Sequence, residues 1–134
     1  MAKTLATLVK LHRFEVEEQQ RALAQLNDLR DKIIGEREQL DIEMAVQRAA
    51  AAGDIDMMQA LPVYIDAALD RARRMEKTRR DIEALIEMAR DELQRRFENL
   101  KSFELAEQAR EQAELNKREQ EMLDEVASQR ADKE

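Results

Sequence analysis

A chain of 134 residues with one tyrosine, three phenylalanines, no tryptophan and no cysteine lacks the bulky apolar surface for a thick globular core, and it lacks thiol chemistry altogether. Charged residues make up 40% of it, with two glycines and one proline, a composition that excludes a turn-rich β fold and favours long helices with solvated flanks. A formal net charge of −7 argues against nucleic acid as a partner of the whole chain, because duplex binding is driven by clustered cations that release phosphate counterions.

From about residue 4 to residue 52 there is no proline and one glycine, Gly35, so a single long helix is expected, with Thr4 or Thr7 as its cap. Its seam comes from spacing that alternates three and four residues: Val9, His12, Val16, Gln19, Leu23, Leu26, Arg30, Ile33, Arg37, Leu40 and Met44. The opening Met1-Ala2-Lys3-Thr4-Leu5 has no apolar core of a secretory signal, and the chain has no apolar run of about 18 residues, so a soluble, intracellular setting is expected.

The stretch Ala49-Ala50-Ala51-Ala52-Gly53-Asp54 reads as a helix end. Gly53 suits the left-handed position past a C-terminus, and Asp54 suits the cap of the next helical segment. Residues 53–61 are expected to form a bend with a short helical turn. Pro62 disfavours helix at Leu61 but fits a first turn, so the second long helix is expected from 62 to about 130. Its seam is Leu61, Ile65, Ala68, Ala72, Met75, Arg79, Ile82, Ile86, Ala89, Leu93, Arg96, Leu100 and Phe103.

A reversal at the bend makes the fold an all-α antiparallel coiled-coil hairpin, a single domain over 1–134. One offset then matches Met44 with Ala72, Leu40 with Met75, Ile33 with Ile82, Leu26 with Ala89, Leu23 with Leu93, Val16 with Leu100 and His12 with Phe103. Two layers are poor: Gln19 faces Arg96, and Arg37 faces Arg79. Glu36, Glu38, Glu76 and Glu83 are the candidates to neutralise the two arginines. The last match is Val9 with Glu107, so the longer second helix overhangs by residues 108–134, about 40 Å at 1.5 Å per residue. The apolar stripe changes phase there, continuing as Ala106, Ala109, Ala113 and Leu123. A lone helix of this kind is marginal in water and frays unless something holds it.

Catalytic chemistry is sparse. His12 is the only histidine, placed at a seam position opposite Phe103, where a packed histidine is the simpler reading. No phosphate-cradling glycine loop, metal-spaced cluster or serine motif is present, so neither an enzyme nor a cofactor is expected. Met57 and Met58 lie at the bend, where a soft apolar contact for a partner is the second reading and not the first. Arg71, Arg73, Arg74, Lys77, Arg79 and Arg80 form a basic collar around Glu76, read first as a solvated face paired with nearby carboxylates and second as a contact for acidic protein or lipid.

Three segments carry a resemblance over nearly the full chain: Leu5-Ala6-Thr7-Leu8-Val9-Lys10-Leu11, Glu15-Val16-Glu17-Glu18-Gln19-Gln20, and Tyr64-Ile65-Asp66-Ala67-Ala68-Leu69-Asp70-Arg71-Ala72. With length and helix order, they make the chain resemble the FliJ family, the coiled-coil stalk proteins of the flagellar type III export apparatus. That resemblance implies a non-enzymatic cytoplasmic stalk, peripheral to the inner membrane, that works with the export ATPase ring, the membrane export gate and export chaperones. It implies a gate-binding patch at Ile65, Leu69 and Ala72, with Leu69 exposed beside the seam, and a lower edge in doubt at Glu76. It also implies that the overhang enters the ring, with Ala109, Ala113 and Leu123 as contacts. The competing expectations are a generic structural coiled coil or the analogous stalk of a virulence-type secretion system.

Overall fold

The computed structural model describes residues 2–133, and it is all-α: α1 spans Ala2–Ala51 and α2 spans Ile55–Lys133. The two helices form a hairpin whose second helix is the longer, 79 residues against 50. Since α1 already includes Ala2, neither Thr4 nor Thr7 caps it.

The bend occupies three residues and is built as its sequence requires. Gly53 has a φ of 84°, the left-handed region that side chains with a Cβ rarely adopt. The Asp54 N–H donates to the Ala51 carbonyl at 3.2 Å, closing the turn. Asp54 then caps α2: its Oδ1 accepts from the Met57 N–H at 3.2 Å, and its carbonyl accepts from the Met58 N–H at 2.9 Å. Asp54→Ala is therefore expected to cost about 1 kcal/mol, seen as a lower midpoint in thermal denaturation followed by circular dichroism.

The start of α2 differs from the expectation of a helix beginning at Pro62. The helix begins at Ile55 and runs through Pro62 without interruption. Pro62 removes the N–H that would bond the Met58 carbonyl, a loss that costs least where, as here, both residues are exposed. The Asp54 cap stabilises the turns ahead of the proline, outweighing the bias against helix at Leu61.

The chain divides into two compact units, residues 19–92, which contain the bend, and residues 1–18 with 93–134. In the first, Leu40, Met44, Ala68, Ala72 and Met75 form a buried cluster, with Ile33, Tyr64, Ile65 and Leu69 packed on it. Met44, Ala72, Leu40 and Met75, which the expected register pairs two by two, thus share one cluster. Ile82, Ile86 and Ala89 continue the buried face of α2. In the second unit Val9 and Val16 are buried, and the His12 ring stacks on Phe103 with centroids 4.4 Å apart and planes 15° from parallel.

Candidate functional site

The polar seam positions resolve in ways that spacing alone does not show. Gln19 donates from Nε2 to the Ala89 carbonyl at 3.1 Å within residues 19–92. Arg96 donates from its guanidinium to the Glu15 carbonyl at 2.9 Å within the other unit. Helical carbonyls have a second lone pair, so each long polar side chain finds an acceptor on the backbone. Arg79 is held between two carboxylates of its own helix, with Glu76 one turn before it and Glu83 one turn after at 2.9 Å. Arg37 pairs with Asp41. Of the four glutamates expected to neutralise this layer, Glu76 and Glu83 do so for Arg79, while Arg37 takes the aspartate one turn on.

The hydrogen bond from Arg79 holds the Glu76 carboxyl below its ordinary pKa, aided by the charges of Arg79, Arg80 and Arg37 and opposed by partial desolvation. A lowered carboxyl contributes stability above its unfolded value and loses it as pH falls through the folded one. Glu76 is thus committed to the arginine layer, which explains how the lower edge of the expected apolar patch is occupied.

That patch is not laid out as expected. Ala72 is buried at 6% exposure, and Ile65 and Leu69 are half-buried against the Leu40, Met44 and Met75 cluster. Leu69 is therefore part of the packing, not a free exposed side chain. The reason is size: the seam residues Ala68 and Ala72 are too small to fill the space between helices, so the off-seam Leu69 packs inward beside the seam residue Ile65. What they leave open is a shallow groove lined by Arg37, Leu69, Ala72, Arg73 and Glu76.

Exposed apolar side chains lie nearer the bend. Ile55, Met58 and Val63 stand out from α2, with Val63 at 75% exposure, and Ile42 and Val46 stand out from the end of α1. Met57 is less open than Met58 and lines a groove with Gln47, Ala51 and Tyr64. Of the basic collar, Arg71, Arg73, Arg74, Lys77 and Arg80 are exposed, Arg73 is paired with Asp70, and Arg79 alone is drawn in between its two glutamates.

At the other end, every described residue after Arg110 is exposed, Ala113 and Leu123 among them, and Ala109 just before it is exposed as well. Three larger exposed apolar residues, Leu115, Met122 and Val126, accompany Leu123 and lie off the stripe expected from Ala106 onward. Their signal in the sequence is a second stripe at three- and four-residue spacing, interrupted by Arg118 and Glu119.

His12 Nδ1 lies 3.4 Å from Glu15 Oε2, an ion-pair distance but without hydrogen-bond geometry. Among the described residues no three His, Asp or Glu side chains converge to hold a metal ion, and no helix is long and apolar enough to cross a membrane. The surfaces on offer are an apolar bend, a basic collar and an unpaired helical arm. Comparison of the chain with family models, with curated proteins and with solved structures returned no match.

Proposed function

We propose that this chain is a non-enzymatic stalk and adaptor of a flagellar type III protein export apparatus, working in the cytoplasm at the base of the flagellum. One part engages an export ATPase ring, the bend half meets the membrane export gate, and export chaperones are handled in between. The observation that carries the reading is the unequal hairpin: α2 outlasts α1 and continues alone as an exposed arm after Arg110. An unpaired helix has little reason to persist in water without a partner. Its likeness in the Leu5 to Leu11, Glu15 to Gln20 and Tyr64 to Ala72 segments to FliJ-type stalks names the class of partner.

In this reading Ala109, Ala113 and Leu123 enter the ring, and the groove at Leu69 and Ala72, flanked by Ile65, takes the gate. The collar of Arg71, Arg73, Arg74, Lys77 and Arg80 guides that approach toward acidic surface, with Arg79 held by its glutamates. The decisive experiment removes residues 111–134 from the chain. The truncated protein is expected to keep a cooperative thermal transition, because every described residue it loses is exposed, while losing its stimulation of the cognate export ATPase. Undiminished stimulation would overturn the ring-insertion role.

A further inference from the structure

The bend interrupts the helix but not the heptad frame. One row of seam positions recurs every seven residues straight through it, as Met44, Ala51, Met58, Ile65 and Ala72. The other row does the same, as Leu40, Gln47, Asp54, Leu61 and Ala68. A reversal does not require this, because each helix of a hairpin keeps its own seam whatever number of residues joins the two. The side chains at the bend follow the continued frame. Between Asp54 and Ile65 the seam positions are Met58 and Leu61, and the positions flanking the seam are Ile55, Met57, Pro62 and Tyr64; none is charged. In the hairpin α1 ends at Ala51, and Ile55 and Met58 are left 73% and 55% exposed.

We propose that this bend is a hinge, and that the chain has a second folded form in which two copies, each straightened through residues 51–55 into one continuous helix, pair antiparallel along that single frame. The occupant is a second copy because the interface it makes is the one the hairpin already contains. With a two-fold axis at Met58, α1 of each copy lies on α2 of the other in the hairpin register. Leu40 and Met44 then share their cluster with Ala72 and Met75 of the second copy. New contacts arise only at the centre, where Met58 meets Met58, Met57 lies beside Met57, and Ile55 lies beside Pro62. No like charges meet across these layers, and the apolar side chains that the hairpin leaves open are covered.

Two residues hold the closed form. Gly53 is the one described residue with a positive φ, a conformation nearly free for glycine, whereas the same glycine is costly inside a helix. Asp54 caps α2 through the Met57 N–H in the hairpin, but in the open pair it becomes a carboxylate in the seam opposite Leu61. Their neighbours do not resist straightening: Ala49 to Ala52 are strong helix formers, and α2 already runs through Pro62. The short bend gives α1 an effective concentration of roughly millimolar beside its own α2, so the open pair is a minor form that competes at high protein concentration. It concerns self-association of the free chain and does not depend on the export reading.

The chain has no cysteine, so introduced thiols report the pairing directly. A Met44→Cys protein and an Ala72→Cys protein, unfolded together, refolded at about 1 mM and mildly oxidised, are expected to give about tenfold more interchain disulfide than either alone. In the closed form both positions lie inside separate molecules. In the open pair they meet between copies, while the two copies of position 44 stand about 40 Å apart at 1.5 Å per residue. Absence of interchain disulfide in the mixture overturns the open pair, and cross-linking of Met44→Cys alone to the same level overturns its register. Sedimentation equilibrium on Gly53→Ala combined with Asp54→Leu supplies a second measurement. The two changes are expected to lower the dimer dissociation constant about a hundredfold, to roughly 10 μM, with helicity by circular dichroism retained. A helical variant that stays monomeric at every concentration overturns the hinge. The cross-link is read on the native bend, so it decides the question whether or not that variant folds.

Discussion

Ile86→Asp is expected to abolish the cooperative thermal transition of residues 19–92, whereas Leu85→Asp, one residue away, leaves it nearly unchanged. Ile86 is 2% exposed and is the one large side chain among the described residues that is fully buried. Removing its packing alone costs about 2–5 kcal/mol, and a carboxyl placed there adds the penalty of an unpaired polar group. Domains of this size have only about 5–15 kcal/mol in total, so the aspartate variant sits at or below the folding threshold. Leu85 is 49% exposed on the outer face, where a polar replacement costs about 0.5 kcal/mol or less. Circular dichroism melts of the two variants side by side measure the difference, and similar midpoints would show that α2 buries a different face.

Leu69→Asp is expected to lower stability by about 2 kcal/mol and, on the proposed function, affinity for the export gate by about tenfold or more. The coupling arises from its packing on the Leu40, Met44 and Met75 cluster, since the same side chain fills the core and floors the groove. Binding to the purified cytoplasmic domain of the gate must accordingly be measured at a temperature where circular dichroism shows the variant folded. Met58→Asp and Val63→Asp provide the control for fold, because both side chains are exposed and their replacement leaves the melt in place. Affinity undisturbed in folded Leu69→Asp would remove the groove from the gate contact, while loss in Met58→Asp or Val63→Asp would move that contact toward the bend.

Much of this architecture is legible in the chain because it depends on local rules that add along one helix. Apolar residues at alternating spacings of three and four give the seam, and the pairing of Met44 with Ala72 and of His12 with Phe103 is fixed once a reversal exists. Gly53 marks that reversal by its left-handed backbone and Asp54 by its capping carboxylate. The candidate surfaces are less legible. Helical spacing places Leu69 off the seam and so marks it as free, yet its burial depends on the small size of Ala68 and Ala72 and on the α1 side chains that face them.

The sequence by itself determined a two-helix, coiled-coil chain with a longer second helix, a capped bend and a seam that runs out, since periodicity and capping are properties of neighbouring residues. Only the tertiary structure decided that α2 starts at Ile55 and passes through Pro62, that Gln19 and Arg96 reach backbone carbonyls, and that Arg79 sits between Glu76 and Glu83. It also decided that residues 111–133 are exposed, Leu115, Met122, Leu123 and Val126 among them. The physical reason is that a polar or off-seam side chain is placed by its length and by the acceptors and gaps within reach of it, which come from the opposing helix for Gln19 and Arg96 and from its own helix for Arg79.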